Sequence, residues 1–402
     1  MSPRSRTSFA LTVSLAVAAC ERAPTNEWSS DDDPLTAATL VAAEPGQPVP
    51  GLTPAQLALF ERGRLIFEKE WPDSEGLGPT FNAEGCARCH NNPVTGGFSG
   101  RGVTHATAWD GQRCNDLSAV GGPVFQENFT AAAIAAFGDS LEVPDPNATA
   151  IAERSTPDLF GFGLLDAVPE DALRKMEDPN DRDRDGISGR VHRTADGRVG
   201  KFGRKGQVPA LDPFNAEAWI MEQGITNPVF MFEQPPNGRP FPDGTDPAPE
   251  PELSQDSLDA ANAFIRFLAP PATLPTDGEG LRGRAIFGVI GCDNCHVPVL
   301  KTGKHPIDAL SQKHVAAYTD LLLHDMGPEL ADICFNDAQP QEFRTEPLMG
   351  LRFSTEFLHD GRVRTINEAI LLHGGEAQAV RDRYALLSER DRNAILKFLS
   401  TL

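Results

Sequence analysis

Two short segments constrain this chain more than anything else in it: Gly85-Cys86-Ala87-Arg88-Cys89-His90 and Gly291-Cys292-Asp293-Asn294-Cys295-His296. Cys-x-x-Cys-His is the attachment sequence for c-type haem. Its thiols add to the vinyl groups, and the adjacent histidine becomes the proximal iron ligand. A structural zinc site would want four thiolates or imidazoles in one cluster. A thioredoxin-like pair would want a βαβ context, which this sequence lacks. The histidine follows both times, so we read two covalently bound haem c groups, with His90 and His296 as iron ligands.

A second repeat supports two related haem domains. Arg62-Gly63-Arg64-Leu65-Ile66-Phe67 precedes the first motif, and Arg282-Gly283-Arg284-Ala285-Ile286-Phe287 precedes the second. Thr53-Pro54 opens the first of these helices, with Thr as N-cap and Pro at the first helical position. Leu57, Phe60, Arg64 and Phe67 continue it at helical spacing. About fourteen extra residues separate the first helix from its cysteines.

Arg4 and Arg6, followed by an apolar run from Phe9 to Ala19, form an export signal too short to span a bilayer. Val17-Ala18-Ala19-Cys20 resembles a lipobox, which would lipidate Cys20; the alternative is a plain secretory signal that contains a cysteine. The expected location is the periplasm, with membrane contact only through that anchor. Residues 21–50, rich in Asp, Ala, Pro and Thr, read as a disordered tether. The formal net charge of −21 argues against nucleic acid as a partner. Cys114 and Cys334 remain after the motifs and Cys20 are assigned. They can pair in an oxidising compartment, but spacing does not settle their distance.

Residues 91–130 are glycine-rich and read as loops holding His105 and Trp109. The segment from Arg154 to Gly163 is a candidate wall of a haem crevice. Asp181-Arg182-Asp183-Arg184-Asp185-Gly186 matches the first half of an EF-hand loop, in which alternate carboxylates converge on calcium, and Ser188 could extend the set. The closing glutamate is absent, position 192 being His, so a solvated acidic turn is the alternative. Residues 233–253 are a proline-rich linker, and Ser254 to Leu268 reads as an amphipathic helix. Thr365-Ile366-Asn367-Glu368 is a capping box, and Ser388 starts a last helix. No long alternating pattern competes. The expected fold is mainly α: two cytochrome-c-like haem domains with long loops, at 51–250 and 274–402.

Several further segments carry a resemblance. They include Leu77-Gly78-Pro79-Thr80-Phe81-Asn82, Gly161-Phe162-Gly163-Leu164-Leu165-Asp166-Ala167, Leu321-Leu322-Leu323-His324-Asp325-Met326-Gly327, Glu342-Phe343-Arg344-Thr345, Phe357-Leu358-His359-Asp360-Gly361-Arg362 and His373-Gly374-Gly375-Glu376-Ala377. With these, the chain from about residue 51 onward resembles the bacterial di-haem oxidoreductase family. Its members are often labelled thiol-oxidoreductase-like and are related to di-haem cytochrome c peroxidase and the methylamine-utilisation di-haem enzyme. The resemblance implies a sixth ligand on the second haem fourteen positions after His359, at His373. Peroxidase relatives commonly place methionine there and the methylamine-utilisation enzyme tyrosine. A His296/His373 pair would lower the potential relative to Met/His ligation. Met326 is the second candidate ligand. On the first haem the resemblance implies His105, fifteen residues after His90, as a displaceable distal ligand.

The resemblance thus implies a di-haem oxidoreductase of cytochrome c peroxidase type. Electrons would enter at the C-terminal haem from a redox protein or quinol-linked cytochrome, and hydrogen peroxide or a related oxidant would be reduced at the N-terminal haem. Such chemistry needs a distal acid, for which Glu222 and Glu217 are the candidates. His359 would organise the second pocket. The alternative is a pure di-haem electron-transfer cytochrome with no substrate site. Thiol–disulfide exchange is disfavoured because thioethers would consume the motif cysteines.

Overall fold

Each helix preceding a motif crosses a later helix, and the repeated hexapeptide explains how. In the computed structural model, which describes residues 40–402, the helix Pro54–Glu68 begins with a complete capping box between Thr53 and Gln56. It crosses the helix Gln255–Phe267 at Gly63, where a Cβ would lie 1.9 Å from the Ala260 carbonyl oxygen. The helix Gly278–Val289, capped by Asp277, crosses Glu389–Leu399 at Gly283. A Cβ there would lie 1.9 Å from the Ala394 carbonyl oxygen. In both places only glycine lets the two backbones meet.

The other repeat positions also act alike. The arginine before each glycine pairs with an acid in the first turn of the partner helix: Arg62 with Asp256 at 2.9 Å, Arg282 with Asp391 at 2.6 Å. The terminal phenylalanine packs toward the motif histidine, with Phe67 5.9 Å from His90 and Phe287 6.4 Å from His296 between ring centroids.

The mainly α expectation is overturned. The structure is 33% helix and 14% strand, a mixed fold. The largest departure is the strand Ser99–Trp109, inside the stretch read as loops. It pairs antiparallel with Ala150–Thr156, with Val103 opposite Arg154 and His105 opposite Ala152, and also with Cys114–Asn115 and Val124–Phe125. Glycines at 100 and 102 dilute its alternating pattern, and its main partner lies some forty residues away. Strand preference depends on such neighbours more than on local sequence. A smaller ladder, Leu323–Asp325 with Glu342–Arg344, sets His324 opposite Phe343.

The largest hydrophobic core joins Phe60, Phe67, Phe264 and Leu268 to Leu310, Val315, Leu321 and Leu322. It therefore crosses the boundary expected between the two haem domains. Residues 40–50, read as the end of a tether, lie against this body. Leu40 bridges to His314 and Pro48 to Leu268, and Val41 and Val49 are buried, each burial being worth about 1.5–3 kcal/mol. The export signal, Cys20 and most of the tether lie outside the described residues. Cys114 and Cys334 form a disulfide across 220 positions, joining the sheet to the C-terminal half. No helix among the described residues is long and apolar enough to cross a membrane.

Candidate haem sites

Each motif folds as a tight 3-10 turn, Cys86–Arg88 and Cys292–Asn294. The amide of each motif histidine donates to the carbonyl of its first cysteine at 3.0 Å. Both thiols and the imidazole of each motif therefore reach one cavity, of about 250 Å³ at the first motif and about 290 Å³ at the second.

The donor set fits haem. The four motif cysteines are unpaired. Burial pushes the thiols of Cys86 and Cys292 up to about 12 and Cys89 up to about 11, and it raises Cys295 as well. This opposes the depressed pKa that an exchanging thiol pair needs. Burial pushes His90 and His296 down to about 4, so both imidazoles are neutral and able to ligate a metal. His296 Nδ1 is bonded to the Tyr318 carbonyl at 2.9 Å, which leaves Nε2 for iron. His90 Nδ1 is buried without a hydrogen-bond partner.

The first cavity brings together His90, His105, Glu217 and Glu222. His105 stands on the central strand, not in a loop. Its Nδ1 is 3.0 Å from the Val103 carbonyl, and burial pushes its pKa down to about 4. Glu217 and Glu222 lie on the helix Leu211–Gln223, five positions apart, and both are pushed up to about 7 by burial. Asn82 Nδ2 donates to Glu222 Oε2 at 2.9 Å. Gln223 Nε2 lies 3.0 Å from Cys86 Sγ. Arg154, Ser155, Thr156, Pro157, Leu159 and Phe162 supply further wall, where sequence had placed a crevice.

The second cavity holds His296, His373 and Met326. His373 Nδ1 is bonded to the Ala369 carbonyl at 2.8 Å, at the end of the helix Ile366–Leu371, whose capping box at Thr365 forms as read. Two imidazoles in this cavity thus have Nδ1 fixed and Nε2 unspent. His324 lies beside them, 2.9 Å from both Asp320 and Glu376. Burial works to lower its pKa, but its bonds to Asp320, Cys295 and Glu376 outweigh that and raise it well above the usual value. His359 stacks on Phe343 at 4.4 Å and lines the same cavity.

The carboxylates of Asp181, Asp183 and Asp185 come within 4.8 Å of one another. Gly186 turns the loop at φ +89°. Ser188 does not extend the set: its hydroxyl donates to Glu376 Oε1 at 2.8 Å. The loop lies against the second motif, Asp185 Oδ2 accepting from Asn294 Nδ2 at 2.9 Å.

Sequence reasoning missed Gln223, Arg204 and Glu346 as cavity residues. Their partners are distant in the chain, so no local pattern marks them.

A family described as "di-haem oxidoreductase, putative peroxidase" matches residues 147–402. Solved structures to which the chain shows similarity include hydrazine synthase of Kuenenia stuttgartiensis, 16% identical with a TM-score of 0.40, covering 91% of this chain and 97% of that one. A MauG-like protein associated with microbial copper homeostasis is 14% identical, TM-score 0.40, over 91% and 93%. The di-haem peroxidase BthA of Burkholderia thailandensis E264 is 14% identical, TM-score 0.39, over 90% of each chain. No curated protein sequence matches the chain.

Proposed function

The chain belongs to the di-haem oxidoreductase, putative peroxidase family, and from that premise we propose that it reduces hydrogen peroxide, or a related oxidant, at the N-terminal site with electrons that enter at the C-terminal site. Both haems are covalently attached, through Cys86 and Cys89 and through Cys292 and Cys295. Bound haem supplies one-electron storage at each iron and, where a coordination position is open, the metal at which an O–O bond is cleaved. Reduction of one peroxide consumes two electrons and two protons and yields two waters.

The observation that carries this reading is the placement of two carboxyls near pKa 7, Glu217 and Glu222, in the cavity of the first motif. Asn82 fixes Glu222 through Oε2 and leaves Oε1 to hold a proton. A carboxyl poised at that pKa can give a proton to one peroxide oxygen and recover it from another near neutral pH. His105 faces the same space and would be the second, displaceable imidazole available to the iron there. In the C-terminal cavity the free Nε2 atoms of His296 and His373 would hold the iron of an electron-relaying haem, with Met326 as the other candidate for the place of His373. The electron donor is a redox protein or a quinol-linked cytochrome, met on the periplasmic side, with the chain held by lipid at Cys20. Asp181, Asp183 and Asp185 are the candidate calcium ligands, a subsidiary part of this reading.

Spectra of the haem-loaded protein, fully oxidised and half reduced, with and without peroxide, test it. A haem that becomes high-spin on half reduction and reacts with peroxide is expected. Two haems that stay low-spin and inert would instead make this a pure electron-transfer cytochrome.

A further inference from the structure

We propose that Arg204, Arg344 and Glu346 form a shared partition that holds the anionic edge groups of both haems and so couples the charge state of one site to the other. This rests on the reading of two haem sites above. Five residues line both cavities: Ser155, Pro157, Arg204, Arg344 and Glu346. No aromatic residue is among them, so the common wall is made largely of charge.

The wall is built firmly. Glu346 Oε2 accepts from Arg344 Nη2 at 2.8 Å and lies 3.2 Å from Arg204 Nη1. Arg204 Nη2 also donates to the Ser155 carbonyl at 3.0 Å. Arg344, only 6% exposed, donates to the carbonyls of Gly203 and Thr345 at 3.0 and 3.1 Å. Both guanidiniums are therefore fixed in place before any ligand arrives. The part of Glu346 that stays open, 35% of its side chain, belongs to the cavity walls.

The charges do not cancel. Two guanidiniums face one carboxylate. Asp158, the neighbouring carboxyl on the second cavity, is pushed up to about 8 by burial and by Glu346, so it is mostly uncharged near neutral pH. Behind the wall, Arg154 and Lys205 share the single carboxylate of Asp332, at 2.7 and 2.9 Å. This second cluster also has one cation more than it has anions. Buried charge without a partner is costly. Guanidinium forks match carboxylates in geometry. Each haem carries a pair of carboxylate side chains, so two haems flanking this wall supply the missing anions from both sides.

The chemistry separates this role from simple packing. A fixed cation between two redox centres makes electron addition easier at both, and the burial of Arg344 strengthens the effect. The test compares Arg204→Gln, Arg204→Lys and Glu346→Gln in the haem-loaded protein by spectroelectrochemistry, with the haem content of each measured as the pyridine complex. Arg204→Gln should lower both midpoint potentials, by roughly tenfold in each reduction equilibrium, or 59 mV for a one-electron couple. Arg204→Lys, which keeps the charge, should return both toward the parent values. Glu346→Gln should move both upward. The proposal is overturned if only one potential moves, if neither moves, or if Lys behaves like Gln while two haems remain bound. A parent protein that binds fewer than two haems would instead bring down the functional reading, and this one with it.

Discussion

At the first motif, the imidazole of His90 shares its cavity with a strand histidine and two glutamates that hold protons near neutral pH. At the second, the imidazole of His296 shares its cavity with His373, Met326 and a cationic His324 clamped between Asp320 and Glu376. Both motifs rest on the same scaffold: a glycine-mediated helix crossing, an arginine–aspartate pair and a phenylalanine against the proximal ring. The difference lies in what long-range structure brings to the opposite side. The repeated part of the sequence secures a haem; the unrepeated part decides what that haem can do.

The comparison can be broken most severely by removing one site at a time. Cys86→Ala with Cys89→Ala should leave one covalent haem, retained at the second motif, and abolish peroxide turnover. The same change at Cys292 and Cys295 should leave the first haem attached but without its electron supply. Haem staining of denatured protein, read beside turnover, checks both. Retained turnover in the first variant would reverse the assignment of the two sites.

Next in size is the proton-holding pair. Glu222→Gln should lower turnover by roughly 10²–10⁴-fold while both haem spectra stay as in the parent. Because Glu217 and Glu222 act in their protonated forms, turnover should fall as pH rises through about 7. Stability has the same sign. The folded pKa lies above the ordinary 4.5, so the folded state binds more protons in between, and stability declines as pH rises from about 4.5 through 7. Glu222→Gln should flatten that decline in melting temperature; an unchanged slope would remove Glu222 as its cause.

His373→Ala should convert the low-spin C-terminal haem to high-spin, as judged by electron paramagnetic resonance. An unaltered spectrum would pass the ligand role to Met326. The scaffold comes next. Gly63→Val and Gly283→Val should each destabilise by about 1–3 kcal/mol, because the obstructing atoms are backbone carbonyls that cannot swing aside. Unequal losses in urea denaturation would show that the two crossings are not equivalent. Smallest should be Arg62→Ala and Arg282→Ala. The first pair is exposed and the second partly so, and the shifts should fall within the scatter of a denaturation midpoint.

What could be read from sequence follows the range of the interactions. The motifs, Thr53, Thr365 and the amphipathic helix through Leu258 and Ile265 are local devices, and they form where expected. The strand Ser99–Trp109 was hidden because Ala150–Thr156 completes it, and no window around Gly100 and Gly102 contains that partner. The polar stretch at 233–253 reads as a linker, yet apolar residues on either side of it, Phe60 and Leu310 among them, share one core. Glu217 and Glu222 could be named from the peroxidase resemblance, but their raised pKa values depend on burial that only the assembled cavity provides.

The Cys114–Cys334 bond gives this molecule a second line of covalent continuity. A protease that cut the proline-rich stretch between residues 233 and 253 would produce two fragments, each bearing one attachment motif, that still travel as one band until a reductant is added. Ile333 and Phe335, the neighbours of Cys334, line the first cavity. The bond therefore ties a piece of that cavity's wall, contributed by the C-terminal half, to the edge of the N-terminal sheet.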